Sequence, residues 1–134
     1  MANEPTIFEK IIEGKIPAHK IYEDNDFIAI LDITPIAPGH TLVIPKTPYS
    51  YIFDMEGEAY LKLMSLSKRL AQKIKERLNC ERVCMGVIGW EVPHVHVHLV
   101  PTNTGKDFII SGPGKGKNSS PDELKEICNK LAKD

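Results

Sequence analysis

Residues 93–101 read Pro-His-Val-His-Val-His-Leu-Val-Pro and carry three of the five histidines of the chain. In an extended strand successive side chains point to opposite faces, so His94, His96 and His98 are predicted to share one face, with valine and leucine on the other. The two prolines bound the segment without interrupting it, which is typical of a strand that needs its own N–H groups for the sheet. The pattern therefore predicts a strand with one packed face and one face of three imidazoles.

The flanking sequence predicts four further strands and three helices. Strands are expected at residues 20–23, 27–31, 40–45 and 82–88, and helices at residues 6–14, 54–79 and 121–133. Thr6 and Glu9 have the spacing of a capping box at the first helix, and Ser120 is the expected cap of the last one. We therefore expect an α+β fold, in which an antiparallel five-stranded sheet has a long helix and a short N-terminal helix packed on it, with the helices on one face.

Length, charge and cysteine content limit the class of protein. A chain of 134 residues suits one domain, and its net charge of −1 argues against a generally basic nucleic-acid surface. The sequence shows neither a targeting segment nor an apolar run near the ~20 residues of a membrane span. Its three cysteines are scattered, which favours reduced thiols over a disulfide framework. We expect a cytoplasmic protein that binds neither a membrane nor nucleic acid.

Three explanations fit three histidines on one face of a strand. They can be structural, although three such rings would need three sets of polar partners. They can form a metal centre, because neutral imidazole is a common zinc ligand. They can also catalyse a reaction at phosphorus, in which a neutral imidazole attacks while its neighbours donate hydrogen bonds to phosphoryl oxygens and protonate a leaving group. The residues by themselves leave all three explanations open.

The motifs of the chain resemble a known family. Residues 94–100 match the His-φ-His-φ-His-φ-φ signature, φ being an apolar residue, of the histidine triad (HIT) superfamily of nucleotide hydrolases and transferases. Residues 39–46, Gly-His-Thr-Leu-Val-Ile-Pro-Lys, and residues 7–12 are similar to the Hint-type branch in order and spacing. The resemblance implies a HIT-like domain over residues 1–101, followed at residues 102–134 by an extension, a Gly/Lys-rich loop plus a helix, packed on the same domain. It also implies a homodimer.

The same resemblance implies a purine nucleotide hydrolase that uses no cofactor and no metal. His96 is the expected nucleophile, attacking the α-phosphate of an AMP or GMP derivative with a phosphoramidate-like P–N bond through a covalent nucleotidyl-histidine. His94 and His98 are expected to contact the phosphate and manage protons, with His40 as a further member of that network. The expected nucleotide-binding residues are Asp32 at the ribose hydroxyls, Ile7, Phe8, Ile11, Ile30 and Ile33 around the purine, and Glu91 and Val92 in the loop before the triad.

Two features depart from the family pattern. Many Hint-type proteins contact phosphate through an Asn-Gly loop and a Gly-Gln pair ahead of the triad, whereas Trp90 stands here in place of the Gln. Thr6 and Glu9 replace an N-terminal Cys-x-x-Cys that gives some members a zinc site. The altered loop leaves one alternative to the hydrolase, a nucleotide-binding or interaction protein with little catalysis. The three histidines leave a second, a His-ligated metal protein, against which the missing Cys-x-x-Cys argues.

Overall fold

The computed structural model describes residues 5–108 and 118–132. Its elements are α1 (Ile7–Ile12), β1 (Lys20–Glu23), β2 (Phe27–Leu31), β3 (Thr41–Pro45), α2 (Gly57–Leu78), β4 (Arg82–Gly86), β5 (Val97–Thr102) and α3 (Pro121–Ala132), with 3-10 turns at Ile52–Asp54 and Gly105–Asp107. The strands form one antiparallel sheet in the order β1-β2-β3-β5-β4. The predicted α+β fold with five strands is confirmed. Most of the Gly/Lys-rich loop falls at residues 109–117, outside the described residues.

The helices cover both faces of the sheet. Successive side chains of β2 alternate between two core clusters, as the pleat of a strand requires. Ala29 belongs to the larger cluster, together with Leu63 of α2 and Leu131 of α3. Its neighbour Ile28 belongs to the smaller cluster, together with Phe8 of α1. The short N-terminal helix therefore lies on the face opposite the long helix, and the expectation of helices on one face is wrong, because β2 is apolar on both of its faces.

Capping boxes begin two of the helices. At α1, the backbone N–H of Glu9 donates to the Thr6 hydroxyl (3.2 Å), and the N–H of Thr6 donates to the Glu9 carboxylate (3.1 Å). At α3, the N–H of Glu123 donates to the hydroxyl of Ser120 (3.1 Å). These bonds satisfy N–H groups that a helix leaves unpaired in its first turn. Both caps agree with the sequence prediction.

The histidine strand begins three residues later than the sequence predicts. β5 starts at Val97, whereas the N–H of His94 bonds a carbonyl two residues before it and the N–H of Val95 bonds the carbonyl of Tyr49 (2.7 Å). Pro45 would stand opposite Val95 if the β3–β5 ladder continued, and proline has no N–H to donate. The prediction that all three histidines lie within the strand is therefore wrong for the first two.

The two edges of the sheet differ. At the β1 edge, α3 packs against the strand, and the thiol of Cys128 donates to the carbonyl of Lys20 (3.2 Å). At the β4 edge, Met85 is 49% exposed.

None of the helices in the described ranges combines the length and the apolar character that a membrane crossing requires.

Candidate active site

A cavity of about 220 Å³ opens on the sheet face that α1 covers. All eight residues predicted to bind nucleotide line it: Ile7, Phe8, Ile11, Ile30, Asp32, Ile33, Glu91 and Val92. His96 and His98 line it as well, so apolar walls and two imidazoles meet in one space.

His96 is held in one tautomer by the chain itself. Its Nδ1 lies 2.7 Å from the backbone carbonyl oxygen of His94. A carbonyl oxygen can only accept, so Nδ1 carries the hydrogen, and in the neutral ring the lone pair is on Nε2. The ring of Phe8 packs against the same imidazole, with centroids 4.8 Å apart. The cavity wall thus contains a fixed, largely buried imidazole whose Nε2 is the basic nitrogen.

His98 and His40 form a hydrogen-bonded pair. The N–H of Ile36 donates to Nδ1 of His40 (3.1 Å), so in neutral His40 the ring hydrogen is on Nε2. That Nε2 lies 3.0 Å from Nδ1 of His98, which accepts the hydrogen. Neutral His98 therefore carries its own hydrogen on Nε2. Its ring lies beside that of His96, with centroids 4.8 Å apart, so the pair brings a proton donor to the cavity wall.

A tight turn before β3 places His40. The N–H of His40 donates to the carbonyl of Ala37 (3.0 Å), and its carbonyl accepts from the N–H of Asp32 (2.9 Å). Gly39 precedes it with φ +97°, and a Cβ at that position would collide with the side chain of Leu78. The turn therefore requires glycine, and it buries the imidazole of His40 completely.

His94 lies behind His96, and it is not among the residues that line the cavity. Its Nε2 donates to the carbonyl of Pro45 (2.7 Å), and its Nδ1 lies 3.3 Å from the hydroxyl of Thr6. The ring is completely buried. Both nitrogens are engaged by fixed protein groups, which favours a supporting position for His94 over the phosphate contact that the resemblance implies.

Asp32 lies between the cavity and His40. Its Oδ1 accepts from the N–H (2.9 Å) and the hydroxyl (3.1 Å) of Thr34, and its Oδ2 is 3.7 Å from Nε2 of His40. Among the described residues, Asp32, His40 and His98 bring three potential metal ligand atoms within 4.8 Å of one another. Carboxylate and imidazole suit zinc. However, Nε2 of His40 uses its hydrogen toward His98, so a metal would have to displace that hydrogen bond.

Sequence reasoning missed part of the cavity wall. The further lining residues are Ile16, Pro17, Ala18, Leu31, Leu42, Ile88 and Gly89. Leu42 stands directly opposite Ile30 in the β2–β3 ladder, so strand pairing was the signal that could have found it. The segment after α1 has no such periodic signal.

The loop before the histidines also borders the cavity. Ile88, Gly89 and Glu91 line it, and Gly89 turns the chain with φ +80°. Trp90 is 90% exposed and is not among the lining residues. The position at which the family pattern has Gln is thus taken by an indole in solvent.

Comparisons with known proteins give one answer over most of the chain. A family model described as HIT domain matches residues 13–105. An uncharacterized HIT-like protein of Methanocaldococcus jannaschii is 38% identical over 126 residues, which are 90% of this chain and 97% of that protein. The adenosine 5'-monophosphoramidase HNT1 of Saccharomyces cerevisiae is 38% identical over 107 residues, 79% of this chain and 68% of that protein. A crystal structure of a Hit-like protein from Bartonella henselae superposes with a TM-score of 0.82 at 27% identity, covering 98% of both chains.

Proposed function

Because the chain belongs to the HIT domain family, we propose that it hydrolyses a P–N bond at the α-phosphate of a purine nucleoside monophosphate derivative. The observation that carries the proposal is the hydrogen bond from Nδ1 of His96 to the carbonyl of His94 (2.7 Å), which makes Nε2 the basic nitrogen in a cavity wall. A neutral imidazole with a defined basic nitrogen is a competent nucleophile at neutral pH. The yeast relative, an adenosine 5'-monophosphoramidase, supports this reaction class.

The proposed reaction has two displacements at phosphorus. In the first, Nε2 of His96 forms a bond to the α-phosphorus while the P–N bond to the leaving amine breaks. His40 holds His98 in the tautomer that gives its Nε2 hydrogen to that amine. The negative charge left on the His98 ring is offset by the positive charge on the phosphorylated imidazole of His96 beside it, until the second displacement returns the proton. In the second, water attacks phosphorus and the bond to His96 breaks, which returns the imidazole and releases the nucleoside monophosphate. His98 takes the water proton, as microscopic reversibility requires.

The proposed nucleotide pose follows the lining of the cavity. The purine occupies the apolar part near Ile7, Phe8 and Ile33, and the ribose hydroxyls donate to Oδ2 of Asp32. Apolar walls recognise a base by contact area rather than by hydrogen bonds to its edge. We therefore expect both AMP and GMP derivatives to be substrates.

The test is a search for the covalent intermediate. The protein is mixed with adenosine 5'-phosphoramidate and quenched in alkaline denaturant, because the P–N bond of a phosphorylated histidine hydrolyses in acid. We expect release of AMP and ammonia, and a peptide with one adenylyl group on His96 in the mass spectrum. His19→Ala removes the one histidine outside the site and is the matched control, expected to form the same adduct. An adduct on another residue, or turnover without one, would contradict the proposal.

The two alternatives are separate outcomes of the same preparation. Binding of AMP without turnover of the phosphoramidate would favour a nucleotide-binding protein. The observation behind this alternative is Trp90, which is exposed and stands in place of the family's Gln. Stoichiometric zinc in elemental analysis, lost together with activity on chelation, would favour a metal centre at Asp32, His40 and His98. We expect activity that is unchanged by a chelator, because the hydrogen of His40 Nε2 is used toward His98.

We also propose that two copies pair through the β4 edges of their sheets. An edge strand presents unpaired backbone groups, and the β1 edge is already packed against α3. Met85 on β4 is 49% exposed, which gives this edge an apolar contact. Met85→Asp is expected to convert a dimer to a monomer in light scattering, whereas the charge change Lys125→Asp on the exposed side of α3 is not. A monomeric parent protein would refute this part of the proposal.

A further inference from the structure

We propose that Thr6 is a positioning residue for the histidine segment, because its hydroxyl fixes the imidazole of His94, which in turn supports His96. Thr6 lies 88 residues from His94 in the sequence, and its Oγ1 is 3.3 Å from Nδ1 of that ring. The kinetic part of this inference rests on the proposed function, whereas the state of the His94 ring can be measured without any activity.

The hydrogen bonds of Thr6 and His94 determine each other's direction. Nε2 of His94 donates to the carbonyl of Pro45 (2.7 Å), so in the neutral ring Nδ1 has the lone pair. The Thr6 oxygen accepts the N–H of Glu9 (3.2 Å), and its own hydrogen is then directed to Nδ1 of His94. The hydroxyl thus supplies the hydrogen that the buried Nδ1 requires, and it joins the start of α1 to the histidine segment.

His94 passes this constraint to His96 by two routes. Its backbone carbonyl accepts the Nδ1 hydrogen of His96 (2.7 Å), which sets the tautomer of the proposed nucleophile. Its ring meets the edge of Phe8, with centroids 5.9 Å apart, and Phe8 packs on the ring of His96 at 4.8 Å. A rotation of the His94 ring would therefore disturb both the wall and the orientation of His96. The ring is completely buried, so solvent does not replace a lost partner readily.

The chain contains matched controls for the capping role of Thr6. Ser120 and Glu123 form an equivalent box at α3, where the N–H of Glu123 bonds the Ser120 hydroxyl at 3.1 Å. Glu9 supplies the second arm of the α1 box without contributing to the bond between Thr6 and His94. Ser120→Ala and Glu9→Ala therefore each weaken a helix cap and leave the hydroxyl at His94 in place. Thr6→Val removes that hydroxyl with little change of shape, and Thr6→Ser restores it.

The first measurement is the ¹⁵N spectrum of the histidine rings, with His94 assigned from the spectrum of His94→Asn. In the parent protein we expect His94 to be protonated on Nε2, with Nδ1 at the shift of a bare nitrogen that accepts a hydrogen bond. In Thr6→Val the Nδ1 signal is expected to move toward the value of a nitrogen without a donor. Thr6→Ser, Glu9→Ala and Ser120→Ala are expected to keep the parent signal. A parent spectrum with a hydrogen on Nδ1 of His94 would overturn the inference without any variant.

The second measurement is the kinetics of the phosphoramidate reaction. Loss of one oriented hydrogen bond behind the nucleophile is expected to lower kcat by about tenfold in Thr6→Val and to change KM by less than about twofold. Thr6→Ser should recover most of the rate, and the two cap controls should keep it. Equal loss of kcat in Thr6→Val and Glu9→Ala would mean that Thr6 acts only as a helix cap, and would overturn the inference.

The two measurements separate this inference from the proposed function. If the parent protein does not hydrolyse the phosphoramidate but Thr6→Val shifts the His94 signal as expected, the proposed function fails and the Thr6 contact stands. If the parent is active and neither the His94 signal nor kcat responds to Thr6→Val, the inference about Thr6 fails and the proposed function stands.

Discussion

The four histidines around the cavity fall into two pairs that differ in what their nitrogens do. His96 and His98 line the cavity, and each is bonded at Nδ1, His96 to the carbonyl of His94 and His98 to the ring of His40. His94 and His40 are completely buried behind them, and their nitrogens are engaged by Thr6, Pro45, Ile36 and His98. The difference teaches that equal residue types in one motif can divide into rings that border a cavity and rings that are held behind them. Hydrogen-bond partners decide the division.

The two rings that line the cavity, His96 and His98, are called the front rings here, and the two buried rings behind them, His94 and His40, the rear rings. The front rings carry their hydrogen on different nitrogens. His96 keeps its hydrogen on Nδ1, toward a carbonyl, so the lone pair of the neutral ring is on Nε2, whereas His98 accepts a hydrogen from His40 at Nδ1, so its own hydrogen is on Nε2. The proposed mechanism uses the first ring as the nucleophile and the second as the proton donor, and different neighbours set the tautomer of each. Replacing the four histidines one at a time tests whether the two pairs differ in this way.

The largest effect is expected for His96, the proposed nucleophile. His96→Ala removes the attacking nitrogen, so kcat for adenosine 5'-phosphoramidate should fall by about 10³-fold or more. AMP binding, measured by calorimetry, should change little, because the apolar walls and Asp32 remain. A variant that still turns over at a tenth of the parent rate would mean that another group is the nucleophile.

The other front ring should show a loss that depends on the leaving group. His98→Ala removes the proposed proton donor, and kcat for the phosphoramidate should fall by about 10²-fold. A 4-nitrophenyl ester of AMP should lose much less, since nitrophenolate departs without a proton. The measurement is the ratio of the two rates in the parent and in the variant. An equal loss with both substrates would assign His98 to phosphate binding rather than to proton donation.

The strands, helices and caps could be predicted because their signals are local. The capping boxes at Thr6 and Ser120 need only residues three positions apart, and α1 itself follows from one apolar stripe. That residues of this stripe line a cavity was expected only from the resemblance to the HIT superfamily. The start of β5 could not be predicted from the alternating pattern, because it depends on Pro45, a residue of another strand that ends the ladder.

The separation of the histidines into pairs could not be predicted for a similar reason. The spacing of two treats His94 and His96 alike, yet Thr6 lies 88 residues from His94 and joins it only in the folded chain. The tautomer of His98 likewise depends on Ile36, through His40. Sequence spacing therefore singled out three of the histidines and the family resemblance singled out the other expected site residues, whereas long-range hydrogen bonds set the tautomer of each ring.

For His40, a rear ring, we expect a smaller loss of kcat, because this ring acts through His98. His40→Ala leaves Nδ1 of His98 without its donor, so kcat should fall by about tenfold. The loss should again be smaller with the nitrophenyl ester, because the same proton transfer is affected. In His98→Ala the further change His40→Ala should cost little, which a double-mutant cycle measures. Additive losses would mean that His40 acts on the substrate by a route that does not include His98.

The smallest kinetic effect is expected for Asp32, which lies between the cavity and the rear ring of His40. Its Oδ2 lies 3.7 Å from Nε2 of His40 and borders the cavity, so the carboxylate can act on the ribose, on His40, or on both. If it binds the ribose hydroxyls, Asp32→Asn should raise KM by about fivefold, which is the value of one hydrogen bond, and leave kcat almost unchanged. The 2',3'-dideoxy substrate should then bind the parent and the variant equally, and Asp122→Asn on α3 is the control for a lost charge. A fall in kcat that persists with the dideoxy substrate would mean that Asp32 supports His40, and through it His98, instead of binding the ribose.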